Sequence, residues 1–303
     1  MKNWNVLTDK LAAAAPPLEL RRNEPMSRHT TFRVGGPAAL MALPKTEEEL
    51  LAAVAAARSL GEEPVLVGNG SNLLVDDAGL DAFVVKTVPG LSWWRTEGTR
   101  IYAGSGLLLS SLANEAARHS LTGLEFAQGI PGSLGGGVCM NAGAYGGELC
   151  QVVRSVRVLE PDGQVTELTA EECGFGYRHS VFSDGKRIVL SAGLELERGD
   201  PLAIRAVMSD LAARRREKQP LDLPSAGSTF KRPAGHYAAA LIDQCGLKGM
   251  AIGGAQVSSK HAGFVVNTGM ATCKDILDLM GVVEDCVYRV TGVKLEPEVK
   301  YLK

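Results

Sequence analysis

Residues 128–148 read QGIPGSLGGGVCMNAGAYGGE, and eight of these positions are glycine. Glycine loses more conformational freedom on folding than any other residue, and its backbone can adopt positive φ or lie directly against a ligand. So dense a cluster within a globular chain predicts main-chain amides packed against a large anionic group. The tract therefore indicates a loop built around the diphosphate of a nucleotide.

A second glycine loop, GNGSN at residues 68–72, directly follows the apolar run PVLV at residues 64–67, which is typical of a strand. A motif this short is explained equally well by a tight turn. The Rossmann fingerprint G-x-G-x-x-G and the P-loop pattern do not occur in the sequence. If a dinucleotide binds, it binds in a non-Rossmann manner, which favours FAD held by loops between strands.

Length, composition and charge limit the classes of protein to which this chain can belong. The chain has 303 residues, a length typical of about two domains. A net charge of −2 and an aromatic content of 5 % argue against nucleic acid as a partner. The six cysteines form no C-x-x-C pair and no zinc-like cluster, which predicts free thiols in a reducing compartment and no metal site. We find no signal peptide and no membrane span, and we expect a cytoplasmic protein.

Hydrophobic periodicity predicts an alternation of helices and strands. Helices are predicted at residues 47–60, 107–119, 203–218 and 275–290. Strands are predicted at residues 64–67, 83–86, 100–103, 152–160, 164–168, 187–196 and 293–301. Thr46 followed by Glu49 has the capping-box pattern that begins a helix, and ERGDP at residues 197–201 predicts a domain boundary.

Two segments carry residues suited to catalysis. Arg178, in CGFGYRHS at residues 173–180, could bind a carboxylate through two hydrogen bonds, or it could form a structural ion pair. Ser228, in AGSTFKRP at residues 226–233, follows a glycine and precedes two cations. Nearby positive charge lowers a hydroxyl pKa, so Ser228 could donate a proton to a developing carbanion, although a turn hydroxyl is the alternative. The G-x-S-x-G motif of hydrolases is absent.

Two further segments are weaker candidates. Lys260 and His261 precede an apolar strand in GGAQVSSKHAGFVVN at residues 253–267, a position suited to phosphate or sugar contacts. A lone histidine is as often structural. Glu298, in the C-terminal LEPEVKY, would by itself be a solvated carboxylate.

Taken together and in this order, the motifs resemble those of the UDP-N-acetylenolpyruvoylglucosamine reductase family, from residue 23 to residue 301. The resemblance is carried by HTTFRVGG (29–36), GNGSNLL (68–74), GLEFAQGIPGSLGGGVCMNAGAYGGE (123–148), FGYRHSVF (175–182), AGSTFKRP (226–233), LIDQCGLKG (241–249), AQVSSKHAGFVVN (255–267) and LEPEV (295–299).

The resemblance implies an α+β fold: a two-subdomain FAD-binding module of the non-Rossmann, PCMH-like type, followed by a C-terminal α/β substrate domain. The implied subdomains are residues 1–86, to which 299–303 return, and 87–199, and the substrate-binding domain is 200–298. It implies non-covalent FAD, NADPH as hydride donor, and reduction of UDP-N-acetylglucosamine enolpyruvate to UDP-N-acetylmuramate in peptidoglycan precursor synthesis. We expect a monomer.

The resemblance also implies a role for individual residues. Hydride would pass from FAD N5 to C3 of the enolpyruvyl group, with Arg178 and Glu298 assisting and Ser228 giving a proton to C2. The implied FAD-binding residues are Arg33, Gly68, Asn69, Gly70, Ser71, Asn72, Leu73, Pro131, Gly132, Ser133, Gly136, Asn141, Gly143 and Val189. The implied substrate-binding residues are Tyr177, Lys218, Lys231, Arg232, Tyr237, Lys248 and His261.

Some members of the family insert a loop with a substrate-covering tyrosine after the strand that ends near residue 196. Here only residues 197–201 precede the next helix, so the chain resembles the shorter subclass, and Tyr237 is a candidate replacement. Two other functions remain open. One is an FAD-dependent sugar or alcohol oxidase, in which His29 could carry covalent FAD, and the other is a non-catalytic protein that binds a nucleotide sugar.

Overall fold

The computed structural model describes residues 4–14 and 17–303 and has the α+β character that the resemblance implied. The described helices are α1 (Trp4–Ala14), α2 (Glu47–Arg58), α3 (Leu109–Arg118), α4 (Leu134–Met140), α5 (Pro201–Lys218), α6 (Ala238–Gln244) and α7 (Cys273–Thr291). The first described strands are β1 (Glu19–Pro25), β2 (Pro37–Leu43), β3 (Val65–Val67), β4 (Leu73–Val75), β5 (Leu80–Lys86), β6 (Trp94–Glu97), β7 (Arg100–Gly104), β8 (Leu121–Thr122) and β9 (Gly143–Ala144). The later ones are β10 (Gly147–Glu148), β11 (Val153–Leu159), β12 (Val165–Thr169), β13 (Ile188–Glu195), β14 (Glu197–Arg198), β15 (Ala251–Ile252), β16 (Ala255–Val257), β17 (Val265–Asn267) and β18 (Lys300–Leu302).

The chain divides into two compact units. The first takes the described residues up to Arg22 together with Ala39–Asn69 and Ala82–Arg214. The second takes Asn23–Ala38, Gly70–Asp81 and Arg215–Lys303. The domain boundary predicted at residues 197–201 falls within the first unit, which extends to Arg214. There β14 pairs with β8 of the same unit. The three-part division expected from the sequence stays a prediction.

The first unit is built around a five-stranded antiparallel sheet in the order β12-β11-β13-β7-β6. Its central strand β13 is buried at every position except the last. Helix α3 covers the core with an apolar face of helical spacing, made by Leu109, Leu112, Ala113, Ala116 and Ala117. A second core in this unit lies under α1 and α2.

A smaller sheet with the order β1-β2-β5-β3 positions the first glycine loop. Strands β3 and β5 are parallel, and Val67 lies opposite Lys86. Parallel strands end at the same edge of a sheet. The loop that begins at Gly68 therefore starts beside the end of β5.

The second unit packs α6 and α7 against the antiparallel sheet β15-β16-β17. Helix α7 buries Cys273, Ile276, Leu279, Met280, Val283 and Val287. Its start is fixed by a capping box, in which Thr272 Oγ1 accepts the N–H of Asp275 and the Asp275 carboxylate accepts the N–H of Thr272, each at 3.0 Å. These bonds, with one from Gly254, hold the pKa of Asp275 below its usual value.

The structure corrects several expectations from the sequence. The predicted strand at residues 293–301 is wrong, because only Lys300–Leu302 forms a strand, and Pro297 makes no more than an isolated antiparallel bridge with Phe230. At Thr46 only half of the capping box forms, since the Glu49 carboxylate accepts the N–H of Lys45 instead. Helix α4 within the glycine tract was not predicted. Within the described chain, no helix is long and apolar enough to cross a bilayer.

We expect Thr272→Ala to lower the free energy of unfolding by about 1 kcal/mol, because it removes the N-cap of α7, which buries six residues in the core of the second unit. Urea unfolding of the purified protein measures this. Thr272→Ser is the matched control, since serine caps at least as well as threonine. An unchanged midpoint in Thr272→Ala, or an equal loss in Thr272→Ser, would contradict the assigned role.

Candidate functional site

In the first unit the two glycine segments lie side by side. Gly68 follows β3, and Ser133 is the N-cap of α4. A Cβ built on Gly68 would overlap Ser133 Oγ and lie 3.3 Å from Ser133 Cβ, so a larger residue there would require the Ser133 side chain to move. Asn69 Nδ2 donates a hydrogen bond to Pro131 O at 2.6 Å. The structure therefore brings together four residues expected to bind FAD, and Gly132 lies between two of them.

A buried hydroxyl lies behind this pair of segments. Ser105 is 2 % exposed, and its Oγ has no hydrogen-bond partner among the described residues. Ser105 O accepts the N–H of Gly135 at 2.8 Å, so the hydroxyl belongs to the same neighbourhood. At Gly136 an added Cβ would meet only Ser133 Oγ, at 3.6 Å, and that side is otherwise open. Unsatisfied buried hydroxyls are rare, and this donor set suits the oxygens of a nucleotide cofactor.

The sequence analysis did not identify Lys86 or Ser105 as candidate site residues. Lys86 Nζ donates to Gly68 O at 2.9 Å, and burial lowers the pKa of this lysine to about 8. The available signals were a lysine at the end of an otherwise apolar strand and a serine between two glycines, Gly104 and Gly106. Neither pattern is specific without knowledge of what lies across the sheet.

The end of the glycine tract contacts the segment that carries Arg178. Asn141 is 1 % exposed and donates to Gly176 O at 3.1 Å. Arg178 Nη2 donates to Gly143 O at 3.3 Å, and its guanidinium lies 5.1 Å from the ring centre of the exposed Tyr177. Arg178 itself has a φ of 52°, an uncommon conformation for a residue with a side chain and frequent at functional sites.

Val189, also expected to contact FAD, is a buried residue of β13. Its apolar side chain forms part of the core under α3. A contact with the cofactor stays a prediction for this position.

In the second unit Gly70 continues the loop with a φ of 65°. A Cβ on Gly70 would overlap the carbonyl oxygen of His29, and Gly70 O accepts the N–H of Thr31 at 3.2 Å. The Thr31 hydroxyl is buried and has no hydrogen-bond partner within the described residues. Arg33 is exposed and has a φ of 56°. The Thr31 hydroxyl is therefore a further buried hydrogen-bond donor beside this part of the loop.

Asn72 ties the loop to the C-terminal segment. Its Nδ2 donates to Glu298 O at 3.0 Å, and its carbonyl accepts the N–H of Lys300 at 2.9 Å. Ser71 precedes this contact and Leu73 begins β4, which pairs with β18 in parallel. The half-buried Glu298 is therefore fixed against the glycine loop of the same unit.

Thr229 holds the segments that carry Ser228 and Glu298. It is fully buried, its N–H donates to Gly263 O at 2.9 Å, and its carbonyl accepts the N–H of Glu298 at 2.8 Å. Its hydroxyl accepts the N–H of Val265 at 2.9 Å. Ser228 is exposed immediately before it. The two expected catalytic residues of this unit thus lie on neighbouring backbone segments.

The expected substrate-binding lysines lie at the surface of the same unit. Lys231 Nζ lies 3.5 Å from Glu296 Oε2, and Lys248 Nζ lies 2.9 Å from Asp243 Oδ2. Lys218 is the exposed last residue of α5. Exposed ion pairs of this kind contribute about 0–1 kcal/mol, so an incoming phosphate can replace them at little cost.

Arg232 and Tyr237 form a cation–π pair. The guanidinium carbon lies 4.2 Å from the ring centre, and Tyr237 is 62 % exposed just before α6. An exposed aromatic ring beside a cation is suited to stacking on a base or packing against a sugar.

His261 is held as a neutral hydrogen-bond donor. Its Nδ1 accepts the N–H of Gly263 at 3.1 Å, which leaves the ring proton of a neutral imidazole on Nε2. Burial lowers the pKa of His261, and the positive charge of Lys248 acts in the same direction. The side chain therefore stays neutral at neutral pH. The described residues contain no cluster of three or more metal-binding side chains.

Two family models match the chain, each over one part of it. An FAD binding domain matches residues 38–169. The C-terminal domain of UDP-N-acetylenolpyruvoylglucosamine reductase matches residues 219–302. The first range contains both glycine segments, and the second contains Ser228 and Glu298.

Individual relatives match nearly the whole chain. UDP-N-acetylenolpyruvoylglucosamine reductase of Clostridioides difficile (strain 630) is 48 % identical over 284 residues, which cover 94 % of this chain and 93 % of the relative. The crystal structure of UDP-N-acetylenolpyruvylglucosamine reductase (MurB) from Thermus caldophilus superposes with a TM-score of 0.81 at 36 % identity, covering 94 % of this chain and 99 % of that one.

A more distant likeness concerns the fold alone. Phl p 4.0202, a glucose dehydrogenase, has a TM-score of 0.52 at 14 % identity and covers 95 % of this chain and 63 % of its own length. This likeness agrees with the non-Rossmann, PCMH-like architecture implied by the sequence.

Gly68→Ala should displace the Ser133 side chain that caps α4, because the added Cβ overlaps Ser133 Oγ and lies 3.3 Å from Ser133 Cβ. Overpacking costs about 1–3 kcal/mol, so we expect roughly a tenfold or greater loss of FAD affinity. The measurements are the flavin-to-protein absorbance ratio after purification and a fluorescence titration with FAD.

Gly281→Ala is the matched control. Gly281 lies on the exposed side of α7, where an added Cβ meets nothing within 4 Å. It should keep wild-type affinity. Unchanged FAD affinity in Gly68→Ala would show that this close approach does not shape a cofactor site.

Proposed function

Because this chain belongs to the UDP-N-acetylenolpyruvoylglucosamine reductase family, we propose that its residues carry out that family's reaction in the following way. The protein is an FAD-dependent oxidoreductase that uses NADPH to reduce the enolpyruvyl group of UDP-N-acetylglucosamine enolpyruvate in peptidoglycan synthesis. The assignment of catalytic residues rests chiefly on the hydrogen bonds of Thr229. They join the segment that carries Ser228 to the segment that carries Glu298.

The residues that would hold FAD are those of the two glycine segments. Gly68 and Asn69, with Pro131 to Ser133, supply close backbone approach and amide donors, and the orphan hydroxyl of Ser105 supports a polar ligand there. In the second unit Gly70 to Leu73, with Arg33, complete the proposed set. Held by these residues, FAD would supply the hydride-transfer chemistry between NADPH and the enolpyruvyl carbon C3.

Arg178 stabilises the charge that develops in the substrate. An enol ether is a poor hydride acceptor, because negative charge builds at C2 and on the adjacent carboxylate as C3 is reduced. A guanidinium can pair with a carboxylate through two hydrogen bonds and stays charged at all relevant pH values. The hydrogen bond from Arg178 to Gly143 O supports its assignment beside the glycine tract.

Ser228 donates the proton that completes the reaction at C2. An exposed hydroxyl beside the cations at 231 and 232 is easier to deprotonate than an isolated serine. Glu298 polarises or hydrogen-bonds the same end of the substrate. Its backbone is tied to Thr229 and Asn72, which supports a fixed position for its carboxylate.

The cations and the aromatic pair bind the nucleotide part of the substrate. Lys231, Arg232, Lys248 and Lys218 would contact the diphosphate, and Tyr177 and Tyr237 would pack against the substrate. His261 would donate from Nε2 to an oxygen of the sugar nucleotide, consistent with its neutral ring. Tyr237 would replace the tyrosine loop absent from this shorter subclass.

An FAD-dependent oxidase with covalent flavin is less well supported. His29 is 9 % exposed, and its Nε2 lies 2.9 Å from Glu24 Oε1. This buried pair favours a structural role for His29 and, with it, non-covalent FAD.

The remaining expectations are part of the proposal. The FAD-binding module would comprise residues 1–86 and 87–199, and the substrate domain would comprise residues 200–298. The family models that match residues 38–169 and 219–302 support this order. We propose a monomer that acts in the cytoplasm, where its nucleotide-sugar substrate and NADPH are found.

Ser228→Ala should retain reduction of the flavin by NADPH and lose reoxidation by the enolpyruvyl substrate. Loss of a general acid slows its step by about 10²–10⁴-fold. Anaerobic stopped-flow absorbance separates the two half-reactions.

Ser209→Ala, at an exposed position of α5, is the control and should leave both half-reactions unchanged. If reduced Ser228→Ala is reoxidised by substrate as fast as the wild type, Ser228 is not the proton donor.

A further inference from the structure

Lys86 brings an ammonium group to the first residue of the glycine loop. It is the last residue of β5, opposite Val67 of the parallel strand β3, and its Nζ donates to Gly68 O at 2.9 Å. Among residues 4–14 and 17–303, no carboxylate forms an ion pair with it, and no charged group contributes to its pKa. The ammonium is thus held by a carbonyl oxygen and has no anionic partner in the described chain.

This placement costs folding free energy. Burial alone lowers the pKa of Lys86 to about 8, which means that the protein surroundings disfavour its charged form. An apolar side chain at the end of this strand would avoid the desolvation. A charge kept under such conditions is typical of functional sites.

The hydrogen bond from Lys86 sets the direction of one peptide group. In a planar trans peptide the C=O and the following N–H point in opposite directions. Since Gly68 O points to Lys86, the N–H of Asn69 points away from it. Within the described residues this N–H donates to no protein atom.

The loop cannot relieve this arrangement by turning. Gly68 lies against Ser133, and the Asn69 side chain is anchored to Pro131 O at 2.6 Å. The Asn69 amide is therefore presented as a fixed donor, with a cation behind the same peptide group.

We propose that Lys86 is a cofactor-positioning residue: by holding the Gly68 carbonyl, it directs the Asn69 amide to an anionic oxygen of the bound dinucleotide. The positive charge of Lys86 also attracts that anionic oxygen, from the opposite side of the peptide group between Gly68 and Asn69. The inference rests on the proposed function, in which this loop holds FAD, and it assigns Lys86 to recognition of the diphosphate.

The test compares Lys86→Met, which has a similar length but no charge and no donor, with Lys86→Arg, which keeps both. FAD dissociation constants are measured by fluorescence titration of the full-length apoprotein, and the melting temperature of each apoprotein is recorded. Lys186→Met, at an exposed turn position, is the control.

We expect Lys86→Met to bind FAD about 10- to 100-fold more weakly, the range for a lost charged hydrogen bond. Its apoprotein should melt at or above the wild-type temperature, because a desolvated charge is gone. Lys86→Arg should regain most of the affinity, and Lys186→Met should match the wild type.

Wild-type FAD affinity in Lys86→Met would overturn the inference. So would an affinity loss that accompanies a lower apoprotein melting temperature and is not rescued by arginine, since that result describes a structural lysine. A wild-type protein that binds no FAD would instead overturn the proposed function itself.

Discussion

The close packing of Gly68 against Ser133 is the contact on which the proposed FAD site depends. Two segments far apart in the sequence meet there because β3 delivers one and the N-terminus of α4 delivers the other. The Ser133 hydroxyl occupies the space that a Cβ on Gly68 would need, so the two segments approach each other closely. The unpaired hydroxyl of Ser105 and the ammonium of Lys86 lie beside these segments, and their proposed roles depend on this contact.

In the second unit, one buried threonine holds the candidate catalytic segments together through its side chain and its backbone. The hydroxyl and both main-chain groups of Thr229 are engaged with three different residues, in full burial. The proposed roles of Ser228 and Glu298 require both residues to be held firmly at the same end of the substrate, and the hydrogen bonds of Thr229 support both segments. Lys231 and Lys248 of the same unit form exposed ion pairs, and such pairs contribute little, as the proposed exchange of their carboxylate partners for phosphate requires.

The elements with strong periodicity could be predicted from the sequence to within a few residues, as α3, β13 and α7 illustrate. Helix α4 could not, because three consecutive glycines in it have poor helix propensity and only tertiary packing makes them helical. The residues 293–301 alternate like a strand, yet most of them form irregular chain. Family motifs identified the candidate site residues, whereas the contacts of Lys86 with Gly68 and of Thr229 with Gly263 and Glu298 join residues far apart in the sequence and could not be predicted from it.

The most direct measurement is anaerobic flavin absorbance of the wild-type protein. NADPH is added, the oxidised flavin band at about 450 nm is followed, and UDP-N-acetylglucosamine enolpyruvate is then supplied without oxygen. The expected result is bleaching by NADPH and recovery of the band on addition of the enolpyruvyl substrate. Recovery only after air is admitted would contradict the assignment as a reductase and indicate an oxidase.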